Sequence, residues 1–202
     1  MKIEAGLINK DEEIIIISLF NGMSCGQVAF EQEGFNIKEY YASEIKPHAI
    51  KVTESNYPET VHIGDVTKVY VKDKTLYTEN GNFYLGDTKV ILIGGSPCKG
   101  ISRLNKNQDG LNHPESKLFW HYIRIKNELN PIYFLLENTH GNKEATDTIT
   151  ETLGILPYSI NGKLFTAQNR PRYYWTNLPY LVKPKDIGLT TKDIIKSGID
   201  RQ

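Results

Sequence analysis

The chain has 202 residues, 39% hydrophobic and 24% charged, which suits one soluble domain with a real core. Its 24 basic and 24 acidic side chains cancel, which argues against a uniformly basic nucleic-acid binder. No internal repeat or low-complexity tract is present, no apolar run reaches the length of a membrane span, and no signal peptide precedes Ile14.

The charge is unevenly spread. Between 99 and 126, six cations (Lys99, Arg103, Lys106, Lys117, Arg124, Lys126) stand against two acids (Asp109, Glu115), so a basic cleft is compatible with the neutral sum. The two cysteines, Cys25 and Cys98, are too few for a disulfide framework and lack zinc spacing. A reduced, cytoplasmic protein is expected, although a bridge between the two is conceivable.

Residues 1–13 are polar, acidic around Asp11-Glu12-Glu13, and read as a flexible or edge segment. Ile14 to Leu19 is β-branched and apolar, which predicts a central strand. Gly22 and Gly26 open a turn into a helix reaching Gln32, with Ser24 as its cap and Gly34 as its stop. Ile37 to Ala42 predicts the second strand, ending at Ser43-Glu44, and Pro47 suits the first turn of the next helix. Thr60 to Ile63 is a short third strand, followed by Gly64-Asp65. Lys, Tyr, Asn and Gly dominate 67–88, and Glu79-Asn80-Gly81-Asn82 reads as a turn within a surface insertion of short extended pieces.

Lys89 to Ile93 is the fourth strand, running through Gly94-Gly95 to Ser96-Pro97-Cys98. Gly100 to Asn112 is polar and reads as a mobile loop. Leu118, Tyr122, Ile125 and Leu129 fall at helical spacing between Lys117 and Asn130, and the helix stops before Pro131. Ile132 to Leu136 predicts the fifth strand, followed by a helix ending near Gly154. Tyr158 to Phe165 and Arg172 to Thr176 read as the last two strands, and Thr190 to Ile195 as a short helix. Strands alternating with helices imply an α/β domain, its mostly parallel sheet covered on both faces.

Ser96-Pro97-Cys98 is the most informative segment. A cysteine at the carboxyl end of a parallel strand sits where open α/β sheets bind ligands, and proline limits how the thiol can point. The alternative is a small buried thiol. The first strand-to-helix turn offers backbone N–H groups near a helix start and glycine for close approach. It is not GxGxxG, which disfavours a dinucleotide. Glu44 and Asp65 end the second and third strands, where carboxylates accept from ribose hydroxyls or an amino group. A solvated strand end is the alternative for both.

FNGMSCG (20–26), GGSPC (94–98), ENT (137–139) and QNRPR (168–172) resemble, in this order, motifs of the DNA (cytosine-5) methyltransferases. The GGSPC wording and the RYYWTNLP ending are most similar to the de novo-type eukaryotic enzymes and their phage and bacterial relatives. The resemblance runs from about Ile14 to the end of the chain. It implies a Rossmann-like S-adenosylmethionine-dependent methyltransferase fold, with a catalytic domain over 14–180. S-adenosyl-L-methionine is the implied cofactor, held by Phe20, Asn21, Gly22, Ser24, Gly26, Glu44, Ile45, Asp65, Val66 and Pro97. DNA is the implied substrate, contacted by Lys99, Ser102, Arg103 and Arg170. No metal is implied. Cys25 is read as a small side chain facing the helix.

The implied chemistry is covalent. A Cys98 thiolate adds to carbon 6 of cytosine, making carbon 5 nucleophilic. Glu137 protonates or holds ring nitrogen 3, for which burial must raise its pKa. Arg172 binds the exocyclic oxygen and steadies Cys98 and Glu137. Arg170 contacts a phosphate or the loop, and Gln168 braces the loop. Asn138 and Thr139 shape the pocket floor, Thr139 replacing a family Val. The base must leave the duplex, and the basic loop after Cys98 is the part expected to close over it.

In the family a target-recognition region and two further motifs follow this point, and 181–202 reads as the start of that segment. A compact member, a truncated product and half of a split enzyme all fit, the last with a second chain or second copy supplying target recognition. A non-catalytic DNA-binding or regulatory subunit is the alternative function, and RNA methylation a third.

Overall fold

The computed structural model describes residues 9–102, 106, 107, 109–179 and 181–194. Its strands are β1 (Ile14–Leu19), β2 (Ile37–Ser43), β3 (Val61–His62), β4 (Tyr70–Lys72), β5 (Thr75–Thr78), β6 (Gly81–Tyr84), β7 (Lys89–Gly95), β8 (Tyr133–Thr139), β9 (Tyr158–Asn161) and β10 (Pro171–Thr176). Its helices are α1 (Cys25–Gln32), α2 (Pro47–Asn56), α3 (Phe119–Leu129), α4 (Lys143–Leu153) and α5 (Thr191–Ile194). Seven strands form one sheet in the order β3-β2-β1-β7-β8-β10-β9. The pairs from β3 through β8 are parallel, whereas β10 is antiparallel to both β8 and β9. The predicted α/β class, with a mostly parallel sheet flanked by helices, is the observed one.

The apolar run of β1 explains its central place. Ile15, Ile17 and Leu19 enter the core on one face of the sheet, and Ile14 and Ile16 enter the core on the other. A period of two with both faces apolar is what a strand covered on both sides requires. Full burial of each such side chain contributes about 1.5–3 kcal/mol before chain entropy is charged against it.

The predicted insertion is a three-stranded antiparallel meander, β4-β5-β6, turning at Glu79-Asn80. Val71, Leu76 and Phe83 join the main core, and the Val71 N–H donates to Glu128 on α3 at 2.8 Å. Pro47 opens α2 as expected, and Gly154 ends α4 in the left-handed region.

Several boundaries differ from the sequence expectation. β3 holds only Val61 and His62. β8 begins at Tyr133 and runs on through Glu137-Asn138-Thr139. The strand expected over Tyr158 to Phe165 stops at Asn161 and turns into a 3-10 helix over Gly162–Leu164, where the Asn161 side chain accepts from the Lys163 N–H. The loop expected over Gly100 to Asn112 contains a 3-10 turn at Gly110–Asn112, and Arg103 lies outside the described residues. Both cysteines are free, and Cys25 is exposed rather than turned onto the helix packing. Among the described residues no helix is long and apolar enough to cross a membrane, and no group of His, Cys, Asp and Glu is placed to hold a metal ion.

Candidate active site

The chain order reverses between β1 and β7: β2 and β3 lie to one side of β1, and β7, β8, β10 and β9 to the other. Open α/β sheets take ligands at the carboxyl ends of their strands beside such a switch. Here Leu19 is flanked in register by Ser43 of β2 and Gly94 of β7. Every motif read from the sequence leaves the sheet at this edge.

On the β1–β2–β3 side, Phe20 follows β1 with a left-handed backbone (φ 58°) and packs half-buried against the core. Gly22 has φ +59°, with open space where a Cβ would stand. Its N–H donates to Glu44 Oε2 at 2.9 Å, while Glu44 Oε1 accepts from the N–H groups of Ile45 (2.8 Å) and Lys46 (3.0 Å). Glu44 thus ties the first loop to the start of α2. Ile45 beside it is 64% exposed. Asp65 follows β3, and its Oδ1 accepts from the Thr67 N–H at 2.9 Å.

Other expected cofactor residues have structural work here. Val66 is buried in the main core, so only its backbone can face a ligand. A Cβ on Gly26 would stand 2.4 Å from Ile93 Cδ1, so this glycine lets α1 approach β7. Ser24 is not a side-chain cap: it adopts the left-handed region, and its buried hydroxyl bonds Asn21 and Thr53. Asn21 is committed to the same network. Pro97 lies half-buried beside Cys98.

On the β7–β8–β10 side, Gly95 pairs with Glu137 in the parallel register, and Glu137 pairs with Tyr174 across the antiparallel one. A Cβ on Gly95 would lie 3.0 Å from Glu137 Oε2, so the glycine makes room for the carboxylate. Arg172 Nε meets Glu137 Oε1 at 2.6 Å, and its Nη1 reaches the Pro171 carbonyl at 2.8 Å. Burial raises the Glu137 pKa above the usual carboxylate range, outweighing the opposing charges of Arg172 and Arg170. The structure therefore joins Glu137, Arg172 and the charge of Arg170 beside the Ser-Pro-Cys turn.

Asn138 holds that turn. It is buried, and its side-chain amide donates to the Ser96 carbonyl at 3.1 Å and to Ser96 Oγ at 3.0 Å. The Cys98 carbonyl then accepts from the N–H groups of Ile101 and Ser102 (3.0 and 2.8 Å). Ile101 is buried in the core, its carbonyl accepts from the Asn142 N–H at 2.8 Å, and Ser102 bridges Gly141. The start of the expected mobile loop is anchored from both sides.

Two cations of the expected basic stretch are ion-paired within the molecule, and a third lies over an aromatic ring. Lys99 is ion-paired with Glu115. Arg124 pairs with Glu128 at 3.0 Å and donates to the Val69 carbonyl at 2.6 Å, while Lys126 lies over the Phe134 ring. Arg170 and Gln168 are exposed. The brace of their loop is Asn161, whose Oδ1 accepts from the Arg170 N–H at 3.0 Å and whose Nδ2 donates to Asn169 at 2.8 Å.

Residues 14–177 match the family model described as C-5 cytosine-specific DNA methylase. The chain belongs to this family. It is 33% identical to the type II methyltransferase M.NlaIV of Neisseria lactamica and 32% identical to M.NgoBV of Neisseria gonorrhoeae, each alignment taking in 93% of this chain and 48% of the relative. The chain thus spans about half the length of these relatives. Among solved structures, a prophage-encoded DNA modification methyltransferase of E. coli aligns over 93% of this chain and 56% of its own, with a TM-score of 0.65 and 23% identity. The Dnmt2 methyltransferase of S. pombe aligns over 89% and 52%, with a TM-score of 0.57 and 17% identity. These two likenesses concern the fold.

Within this methylase-family chain, two supporting residues escaped the sequence reading. Asn161 sits in an unremarkable Ser-Ile-Asn-Gly run, and its partner loop is nine residues on. Thr53 reads as an ordinary helix residue. Its burial against the FNGMSCG loop depends on how α2 packs, which no local pattern encodes.

Proposed function

We propose that this chain transfers a methyl group from S-adenosyl-L-methionine to carbon 5 of cytosine in DNA, through a covalent adduct between Cys98 and carbon 6 of a base turned out of the duplex. The observation that carries this reading is a half-buried carboxyl, Glu137, held by Arg172 at 2.6 Å beside the Ser-Pro-Cys turn.

The residues at the β1–β2–β3 edge suit the cofactor. Phe20 and Ile45 supply apolar surface, Glu44 and Asp65 supply carboxylates at adjacent strand ends, and Gly22 leaves its side of the loop open. When bound, the cofactor supplies an electrophilic methyl group. The rest is done by this chain. The Cys98 thiolate forms a bond to carbon 6, and Glu137 delivers a proton to ring nitrogen 3 so that carbon 5 gains enamine character. Arg172 holds Glu137 Oε1, leaving Oε2, on the Gly95 side, to carry that proton. Arg172 is also assigned the charge that develops on the exocyclic oxygen, which a guanidinium can stabilise. Once carbon 5 carries the methyl group, its proton leaves to solvent water acting as base, ring nitrogen 3 returns its proton to Glu137, and expulsion of the Cys98 thiolate restores the aromatic ring. Arg170, with Lys99 and Ser102, is assigned to the DNA backbone.

The relatives are bacterial type II methyltransferases, which favours a modification enzyme of a bacterial or phage-infected cytoplasm. Kinship with the de novo-type eukaryotic enzymes rests on motif wording alone. The neutral net charge and the internally paired Lys99 favour a second reading, a non-catalytic DNA-binding or regulatory subunit.

The test is transfer of labelled methyl from S-adenosylmethionine to unmethylated duplex DNA, beside a Cys98→Ala form. Label that requires Cys98 supports the enzyme. No label from either form, together with no cofactor binding, supports the second reading.

A further inference from the structure

The loop that opens the cofactor edge holds three left-handed residues in five: Phe20 (φ 58°), Gly22 (φ 59°) and Ser24 (φ 59°). Two carry side chains, and such conformations are costly unless the surroundings fix them. The fixing groups come from within the loop and from the two elements beside it. Asn21 Nδ2 donates to Ser24 Oγ at 2.7 Å, and Ser24 Oγ shares a hydrogen bond with Thr53 Oγ1 of α2 at 3.1 Å. Asn21 Nδ2 also points at Thr53 Oγ1, at a longer 3.5 Å. On the other side, Tyr40 of β2 donates its hydroxyl to Asn21 Oδ1 at 3.0 Å. Burial pushes the Tyr40 phenol up to about 12, so it remains a donor. Ser24, Tyr40 and Thr53 are all buried.

We infer that Thr53, a residue outside the four sequence motifs, is a positioning residue for the cofactor: its hydroxyl locks Ser24 and Asn21 so that the loop from Phe20 to Gly22 stands ready for S-adenosylmethionine. This rests on the cofactor reading given above. The mechanism is pre-organisation. Without the Thr53 hydroxyl, Ser24 Oγ loses a buried partner, and the left-handed turn competes with relaxed loop forms that the cofactor must reverse on binding. Thr53 touches no reacting atom, so its loss acts on binding ahead of the chemical step.

The experiment compares Thr53→Val, which keeps the shape and removes the hydroxyl, with Thr53→Ser, which keeps the hydroxyl. Two quantities are read: amide hydrogen exchange over 21–28 in the ligand-free chain, and the calorimetric Kd for S-adenosylmethionine. Expected for Thr53→Val are faster exchange confined to this segment and about tenfold weaker binding, the loss of about one hydrogen bond. Thr53→Ser should restore both to near wild type. In Ser24→Ala/Thr53→Val the two losses should not add, because both remove the same bond. Should Thr53→Val fold poorly, Thr53→Ala takes its place. A Kd within twofold of wild type overturns the inference, even with faster exchange, as does unchanged exchange. Failure of the wild-type chain to bind S-adenosylmethionine would sink the cofactor reading instead, and the exchange arm would still decide whether Thr53 holds the loop.

Discussion

Arg172 Nε lies 2.6 Å from Glu137 Oε1, across the antiparallel step between β10 and β8 that pairs Arg172 with Thr139. That one contact joins two motifs more than thirty residues apart in the chain and aims the carboxyl at the Ser-Pro-Cys side of the sheet. A guanidinium suits this place because its planar fork can meet Glu137 and the Pro171 carbonyl together. Arg172→Ala should therefore lower single-turnover methylation by about 100-fold or more, the usual scale for losing one pre-organised stabiliser. Affinity for S-adenosylmethionine should change little. Arg172→Lys should not recover the rate, since an ammonium cannot span both partners. Near-normal turnover in Arg172→Lys would show that only charge matters here.

The raised pKa of Glu137 sets a pH dependence. The proposed step needs Glu137 protonated, so activity should fall at high pH as Glu137 loses its proton. Glu137→Gln removes that titration: its residual activity should be lower and should lack the fall at high pH. The same shift acts on stability. A carboxyl whose pKa is higher folded than unfolded binds more protons in the native state, so its contribution falls as pH rises from the ordinary carboxylate value through the raised one. Denaturant unfolding over that range should show Glu137→Gln losing less stability with rising pH than the wild type does.

How much of this was legible beforehand follows from locality. β1 and β7 were readable because Ile14–Ile17 and Val90–Ile93 are uninterrupted apolar, mostly β-branched runs of four residues with turn signals close by. The end of β8 was not: Glu137, Asn138 and Thr139 are polar, and they remain strand because β10 pairs with them from a distance. Ile160, Leu164 and Phe165 suggested one long strand, but Gly162 and the Asn161 side chain turn the backbone after Asn161. Ser24 fits the local rule for a helix cap, and the tertiary partners Asn21 and Thr53 outbid that rule. The family motifs were legible as words in order. That Glu137 and Arg172 touch, and that Lys99 spends its charge on Glu115, was settled by folding.

Asn138 offers a direct test of how the Ser-Pro-Cys turn is held. Its amide satisfies two acceptors on the buried Ser96. Asn138→Ala leaves both without that donor and should cost about 1–3 kcal/mol in denaturant unfolding. Asn138→Asp, which keeps the size and loses the donor, should cost at least as much. If Asn138→Asp matches wild type in stability, the clamp assigned to this residue is wrong.

Gly141 fixes the other end of the same loop. A Cβ there would stand 1.8 Å from the Ile101 carbonyl oxygen, which is backbone and cannot swing aside. Gly141→Ala should push Ile101 from the core and separate Ser102 from its bridge, with a loss in the range of several kcal/mol seen for other buried disruptions. Limited proteolysis should then cut near 100–110 faster than in wild type, while the β4-β5-β6 meander keeps its resistance.

Tyr122 points the other way, toward a change that stabilises. Its ring lies against Gly94, where a Cβ would be 3.0 Å from two ring carbons, and its hydroxyl is buried with no hydrogen-bond partner among the described residues. Burial holds the phenol protonated, far above its ordinary pKa, so the O–H is a donor with nothing to receive it. Leaving such a group unpaired costs about 1–3 kcal/mol relative to an apolar replacement of the same shape. Tyr122→Phe keeps the ring that fills the space over Gly94 and removes only the oxygen. The ligand-free chain should gain about 1 kcal/mol, which for a domain of this size raises Tm by about 2–4 °C. A drop in Tm would mean that the hydroxyl has a partner in solution, with a buried water at the foot of the β1–β7 crevice as the first place to look.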